Sequence, residues 1–202
     1  MRIVVITAGL SDPSSTRLLA DQLAESAVRE LGERGERAEV NVVELRPLAH
    51  LLADNLTTGF ATGALAEAIE SVEKADALIA VTPVFTASYS GLFKTFFDVL
   101  DKEALVGMPV QIAATAGTAR HSLVLDHAVR PLFAYLRAVV LPTAVFAATE
   151  DFGSSADGQL ASRVERAGAE LADHLVGAGR RQGARDEFAD PTPFEELLRN
   201  VG

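Results

Sequence analysis

Apolar, β-branched runs recur at Ile3 to Thr7, Val40 to Leu45, Ala77 to Thr82, Val110 to Thr115 and Thr143 to Ala148, each of strand length. A strand covered on one face alternates apolar and polar residues, whereas nearly continuous runs like these predict strands buried on both faces, as in a parallel sheet. Between the runs the apolar spacing changes to a helical period. Leu19, Leu23, Ala27 and Leu31 form one stripe, Leu125, Ala128, Val129, Leu132 and Leu136 a second, and Leu160, Val164, Ala167, Leu171 and Leu175 a third. Weaker helical segments lie at Gly63 to Lys74 and Ser90 to Leu100. Strand and helix alternate along the whole chain, which predicts an α/β fold, a three-layer doubly wound five-stranded parallel sheet with right-handed crossovers.

With no sixth strand-and-helix unit, the flavodoxin-like strand order 2-1-3-4-5 is the expected arrangement. A chain of 202 residues, 49% hydrophobic and 23% charged, is large enough to close such a sheet as one domain burying roughly 70% of its unfolded surface. We place that domain at residues 1–179. Gly177 to Arg185, with three glycines and three arginines, reads as a linker to a tail over 180–202. In the tail, Thr192, Pro193 and Glu195 form a capping box with proline at the first helical position. The resulting short helix, carrying Phe194, Leu197 and Leu198, has about two turns and must dock, on its own domain or on a second subunit.

Eighteen Lys and Arg against 28 Asp and Glu give a net charge of −10, which opposes binding to a phosphate backbone, so no nucleic acid partner is expected. The absence of cysteine excludes disulfides, thiolate nucleophiles and iron–sulfur ligation, and fits a reducing cytoplasm. The longest uncharged stretch, the 17 residues Ala77 to Phe93, is interrupted by Pro83, Thr86, Ser88 and Ser90, too short and too polar for a membrane span. Arg2 and the apolar run to Leu10 resemble a leader, but Ser11, Asp12 and Pro13 follow without a cleavage pattern, and a buried first strand explains the run better. A cytoplasmic protein without membrane contact is expected.

In an open parallel sheet, ligands bind beyond the carboxyl ends of the strands where the strand order reverses, which singles out three loops. After the first strand come Gly9, Leu10, Ser11, Asp12, Pro13, Ser14, Ser15 and Thr16, opening a helix. Hydroxyls beside unpaired helical N–H groups make an anion cradle, suited to a phosphomonoester such as that of flavin mononucleotide (FMN). Neither Gly-x-Gly-x-x-Gly nor a Walker lysine is present, which weighs against dinucleotide binding of the Rossmann kind and against triphosphate hydrolysis. An ordinary Ser/Thr helix cap remains the plainer alternative from the residues alone. After the third strand, Pro83, Val84, Phe85, Thr86, Ser88 and Tyr89 offer a wall for a flat ring, or alternatively a cap on the sheet end. After the fourth, Thr115, Ala116, Gly117, Thr118, Ala119, Arg120 and His121 open the next helix. Gly117 allows close approach of a ligand, the helix N-terminus favours negative charge on a reduced flavin, and His121 either flanks the ring or caps the helix.

Taken in order, Gly-Leu-Ser-Asp-Pro-Ser-Ser-Thr from Gly9, Thr-Pro-Val-Phe-Thr-Ala-Ser-Tyr-Ser-Gly from Thr82, and Ala-Thr-Ala-Gly-Thr-Ala-Arg-His-Ser-Leu from Ala114 resemble the NADPH-dependent FMN reductase family over roughly residues 1 to 175. Within it the chain is most similar to reductases that serve luciferase-like monooxygenases, a likeness that extends to the tail from Phe188 to Glu195. The resemblance implies that Ser11, Ser14, Ser15 and Thr16 hold the FMN phosphate and that Pro83, Val84, Phe85, Thr86 and Ser88 line the ribityl chain and ring. It further implies that Thr115, Ala116, Gly117 and Thr118 bond the pyrimidine edge, with His121 nearby. Phe85-Thr86 stands where many relatives carry Tyr-Asn, and Ala116-Gly117 where they carry Gly-Gly.

The implied reaction is hydride transfer from NADPH or NADH to FMN, giving FMNH2 for a partner monooxygenase, with the chain assembled as a homodimer or homotetramer. Such chemistry needs no side-chain nucleophile, and none of the three loops holds paired carboxylates or a metal-ligand spacing. Arg17, Lys94 and Arg120 are the cations that could attract the donor, although a solvated helix charge is the plainer reading of each taken alone. Two other readings remain at this level: a noncatalytic flavin-binding electron carrier, and a serine hydrolase built on Gly9-Leu10-Ser11-Asp12-Pro13, which matches four of the five places of a nucleophile elbow.

Overall fold

The computed structural model describes residues 1–153 and 158–178. Four long strands, β1 (Arg2–Thr7), β2 (Glu39–Glu44), β3 (Ala77–Phe85) and β5 (Pro109–Ala116), lie parallel in the order β2-β1-β3-β5. Ile3 stands opposite Val40 on one side and Ala77 on the other, and Ala80 opposite Ile112, so the in-register apolar runs build the sheet interior. The order 2-1-3-4-5 therefore holds, but among the described residues the sheet has seven strands rather than five. One addition is the two-residue β4 (Ser88–Tyr89), folded back antiparallel on β3. The other arises because the fifth position is split into β6 (Val139–Val140) and β7 (Val145–Ala148), both parallel to β5.

Pro142 stands in the gap, and a proline cannot donate to a strand ladder. The break is bridged by side chains. Gln111 Nε2 on β5 donates to Thr143 O at 2.6 Å, and the Arg130 guanidinium donates to the carbonyls of Leu141 and Pro142. The expected strand from Thr143 accordingly begins at Val145.

Alternate strand positions feed two cores. Ile3, Val5, Ile79, Val81 and Ala113 pack beneath α1 (Ser15–Glu33) and α6 (Gln159–Ala178). Val4, Ile6, Leu78, Ala80 and Ile112 face the opposite layer, α3 (Gly63–Glu73), α4 (Gly91–Asp98) and α5 (Arg130–Tyr135). Phe93, Phe96 and Phe133 are fully buried there, each contributing about 1.5–3 kcal/mol by leaving water. On the first face α1 and α6 touch at Gly168, where a Cβ would sit 2.2 Å from Ser26 Oγ and 2.9 Å from its carbonyl carbon.

Two helical regions depart from the pattern-based expectation. A further helix, α2 (Ala49–Thr58), follows a 3₁₀ turn at Arg46–Leu48 and buries only Leu52. The helix expected across Leu125 to Leu136 is a π turn at Leu125–Val129 followed by the short α5. Pro131, in the first turn of α5, has no N–H with which to continue a regular i→i−4 ladder from the preceding turn. Among the described residues no helix is long and apolar enough to cross a membrane. The tail helix and most of the expected linker fall outside the described residues.

Candidate active site

Because β1, β3 and β5 are adjacent and parallel, the loops after Thr7, Phe85 and Ala116 emerge side by side at one sheet edge. In the first loop Ser14 is the N-cap of α1, its Oγ accepting from Arg17 N at 3.2 Å. A Cβ on Gly9 would come within 2.0 Å of that oxygen, so the loop closes this tightly only around a glycine. Thr16 is 3% exposed and shares a 2.8 Å hydroxyl–hydroxyl bond with Thr115 at the end of β5. Ser11 and Ser15 are exposed. Of the four predicted cradle hydroxyls, two therefore shape the loop and two face outward. Arg17 leans away from the cradle, its Nε 2.8 Å from Asp21 Oδ1 and its Nη1 2.5 Å from Glu44 Oε1 at the end of β2. Hydrogen bonding to Asp21, followed by the charges of Asp21 and Glu44, raises the guanidinium pKa despite some desolvation.

The second loop is a hairpin rather than an irregular segment. Val84 pairs with Tyr89 and Phe85 with Ser88, leaving Thr86 (φ 49°) and Ala87 (φ 65°) as the two turn residues, both left-handed. That is the backbone of a type I′ turn, whose twist suits a tight hairpin but whose conformation favours Asn-Gly. Thr82, fully buried, locks the base of the hairpin: its Oγ1 donates to Pro83 O at 2.9 Å and accepts from Ser90 N at 3.0 Å. Ser90 in turn caps α4, accepting from Phe93 N. Pro83 is buried in the sheet opposite Thr115, Val84 and Ser88 are half-buried, and Phe85 and Thr86 are exposed at the tip. Tyr89 is half-buried and packs toward Phe93, ring centroids 6.1 Å apart, which removes it from the exposed wall.

The third loop departs most from expectation. Thr118 caps a 3₁₀ turn of three residues, Ala119–His121, with its Oγ1 accepting from Arg120 N at 3.3 Å. A single turn has little dipole, so the expected stabilisation of a reduced ring by a helix N-terminus does not follow from this backbone. Thr115 is buried, Ala116 half-buried, and Gly117, Thr118, Arg120 and His121 exposed. A Cβ on Gly117 would meet nothing within 4 Å, so the space beside it is open.

These three loops fit FMN: a glycine-closed cradle with outward hydroxyls, a rigid apolar wall, and an open backbone edge. The Thr82 clasp and the Thr16–Thr115 tie carry no signal in the hydrophobic pattern, which shows that a threonine is buried but not what it bonds. A model of the NADPH-dependent FMN reductase family matches residues 1–153. The chain belongs to that family. Among its relatives, the FMN reductase (NADPH) of Pseudomonas aeruginosa is 39% identical over 151 residues, 75% of this chain and 78% of the relative. The NADH-dependent FMN reductase SfnE of Pseudomonas putida is 38% identical over 182 residues, 88% of this chain and 94% of the relative. A solved oxidoreductase from Corynebacterium diphtheriae matches with a TM-score of 0.84 at 52% identity, covering 87% of this chain and 97% of that one.

Membership makes the chain an NAD(P)H:flavin oxidoreductase and settles the choice against a noncatalytic carrier. The hydrolase alternative finds no geometry either. Among the described residues, Ser11 has no histidine or carboxylate within hydrogen-bond distance to act as its base. Behind the FMN reductase hairpin, between α4 and the π turn with α5, lies a groove of about 490 Å³ whose lining includes Tyr89, Lys94, His127, Leu132 and Tyr135.

Proposed function

We propose that this FMN reductase takes a hydride from NADPH or NADH and releases FMNH2 to a luciferase-like flavin-dependent monooxygenase. Ser11, Ser15 and the free amides of the first turn of α1 would hold the FMN phosphate, while Ser14 and Thr16 fix the loop that presents them. Pro83, Val84, Phe85, Thr86 and Ser88 would wall the ribityl chain and ring, and Thr115, Ala116, Gly117 and Thr118 would meet the pyrimidine edge, with His121 beside it. When bound, FMN would supply the two-electron acceptor for the hydride of the dihydronicotinamide, the accompanying proton coming from solvent. The protein's part is to orient the two rings and keep one ring face open.

The observation that best supports release, as opposed to permanent retention, is the state of Arg17. The one guanidinium in the first turn of α1 is held by Asp21 and Glu44, so the cradle offers a phosphate hydroxyls and amides without a free cation. The test is steady-state NADPH and NADH oxidation with FMN, FAD or riboflavin added to protein freed of flavin. Stimulation that saturates with FMN is expected, and no stimulation by any flavin would end this reading. Delivery is tested by coupling to a monooxygenase of the proposed class, where product formation should rise with reductase concentration.

The same reading takes 1–179 as the folded unit, 180–202 as a docking tail, and a homodimer or homotetramer in the cytoplasm as the working form. Tyr135 supports self-association, being 86% exposed on the rim of the α4–α5 groove. Light scattering on the purified chain measures it, and a monomer at micromolar concentration would refute it.

A further inference from the structure

We propose that Arg120 recognises a phosphate group of the nicotinamide donor. The inference rests on the FMN reductase reading and adds a specificity determinant to it. NADPH and NADH are polyanions, and the chain carries a net charge of −10, so the donor must be drawn by a local cation.

Of the cations beside the three loops, two are already engaged. Arg17 is bound to Asp21 and Glu44, and Lys94 to Asp98. Turning either toward a phosphate would leave carboxylates behind without their partner. Arg120 differs: it is exposed, and among the described residues its guanidinium has neither an ion pair nor a hydrogen bond. Its backbone is nonetheless fixed, with Arg120 N bonded to Thr118 Oγ1, so the side chain projects from an anchored turn.

Place in the fold strengthens the case. Arg120 lies three residues beyond Gly117, whose surroundings are open, on the loop expected to meet the pyrimidine edge. A nicotinamide stacked on the flavin carries its phosphates outward past the ring, and this loop is the one that presents a free guanidinium there. Arg46 is also without an ion pair among the described residues, but it follows β2, three strands from β5 and therefore about 14 Å away along the edge. A guanidinium fork matches phosphate oxygens two at a time, which suits it to this task.

The experiment compares wild type, Arg120→Ala, Arg120→Lys and Arg46→Ala with riboflavin as acceptor, so that no flavin phosphate is present. Donors are NADPH, NADH and a phosphate-free 1-alkyl-dihydronicotinamide, and NADP+ and NAD+ binding is measured in parallel by calorimetry. For Arg120→Ala the donor KM and the dinucleotide Kd should rise about ten- to a hundredfold with kcat within twofold, the size expected for a lost charge-assisted contact. Arg120→Lys should recover part of the loss, Arg46→Ala should stay within twofold of wild type, and the phosphate-free donor should be unaffected throughout. A loss confined to NADPH locates the contact at the 2′-phosphate, and an equal loss for NADH locates it at the pyrophosphate; both support the proposal. Unchanged dinucleotide KM and Kd in Arg120→Ala would overturn it, as would an equal loss with the phosphate-free donor or a comparable loss in Arg46→Ala. A wild type that oxidises none of the three donors with any flavin would overturn the reductase reading and this inference together.

Discussion

Replacing Thr86-Ala87 with Asn-Gly should stabilise the protein. Both residues sit at left-handed backbone angles, φ 49° and 65°, at the tip of the β3–β4 hairpin. An L-residue pays about 1–2 kcal/mol there, and a β-branched one such as Thr86 is the less tolerant. Glycine at position 87 removes that strain but costs about 0.5–1 kcal/mol of additional unfolded-chain entropy. Asparagine at position 86 is tolerated in this region through local hydrogen bonding. Both native side chains are exposed, so no packing is lost in the exchange. The net gain for Thr86→Asn with Ala87→Gly is therefore about 1–2 kcal/mol, or roughly 2–8 °C in Tm for a domain of this size. Urea unfolding should show a higher midpoint at an unchanged m-value. A midpoint equal to or below that of wild type would refute the claim that this tip is strained.

Three further outcomes follow from contacts described above. Ser14→Asp should keep the helix cap, since aspartate caps as well as serine, while raising the Kd for FMN at least tenfold by setting a carboxylate against the phosphate; fluorescence titration with FMN checks this, and an unchanged Kd would mean the phosphate lies elsewhere. Thr16→Val should destabilise by about 1–3 kcal/mol, because it leaves the buried Thr115 hydroxyl without its partner; a denaturant midpoint within error of wild type would show that the tie contributes nothing. Gly168→Ala should cost about 1–3 kcal/mol, since backbone as well as side-chain atoms of Ser26 must yield to the new Cβ; calorimetry showing an unaltered Tm would contradict the close crossing of α1 and α6.

The large features of the fold were legible because two-sided burial leaves an unbroken apolar run, as at Ala77 to Thr82, and helices facing a sheet leave a stripe such as Leu160 to Leu175. What escaped the pattern has identifiable causes. The β3–β4 hairpin is hidden because Thr86-Ala87 lacks the usual turn signal. The divided fifth strand depends on Pro142 together with the distant Gln111 and Arg130, and α2 buries a single leucine, too little for a stripe. At the site, strand order alone indicated which three loops converge. Which hydroxyls remain outward was not legible, because Thr16 bonds a residue 99 positions away. The cations behaved likewise: Arg17, Lys94 and Arg120 look equivalent in sequence, and only their partners distinguish them.

The Thr16–Thr115 bond joins the start of the first crossover to the far wall of the site beneath the surface. In the pose proposed above it would act as a built-in ruler, setting the distance between the anchor for one end of the flavin and the rest for the other before any molecule arrives. Little of the binding free energy would then go into drawing the walls together, so a cofactor held by few polar contacts would settle in one pose and depart without unfolding its berth.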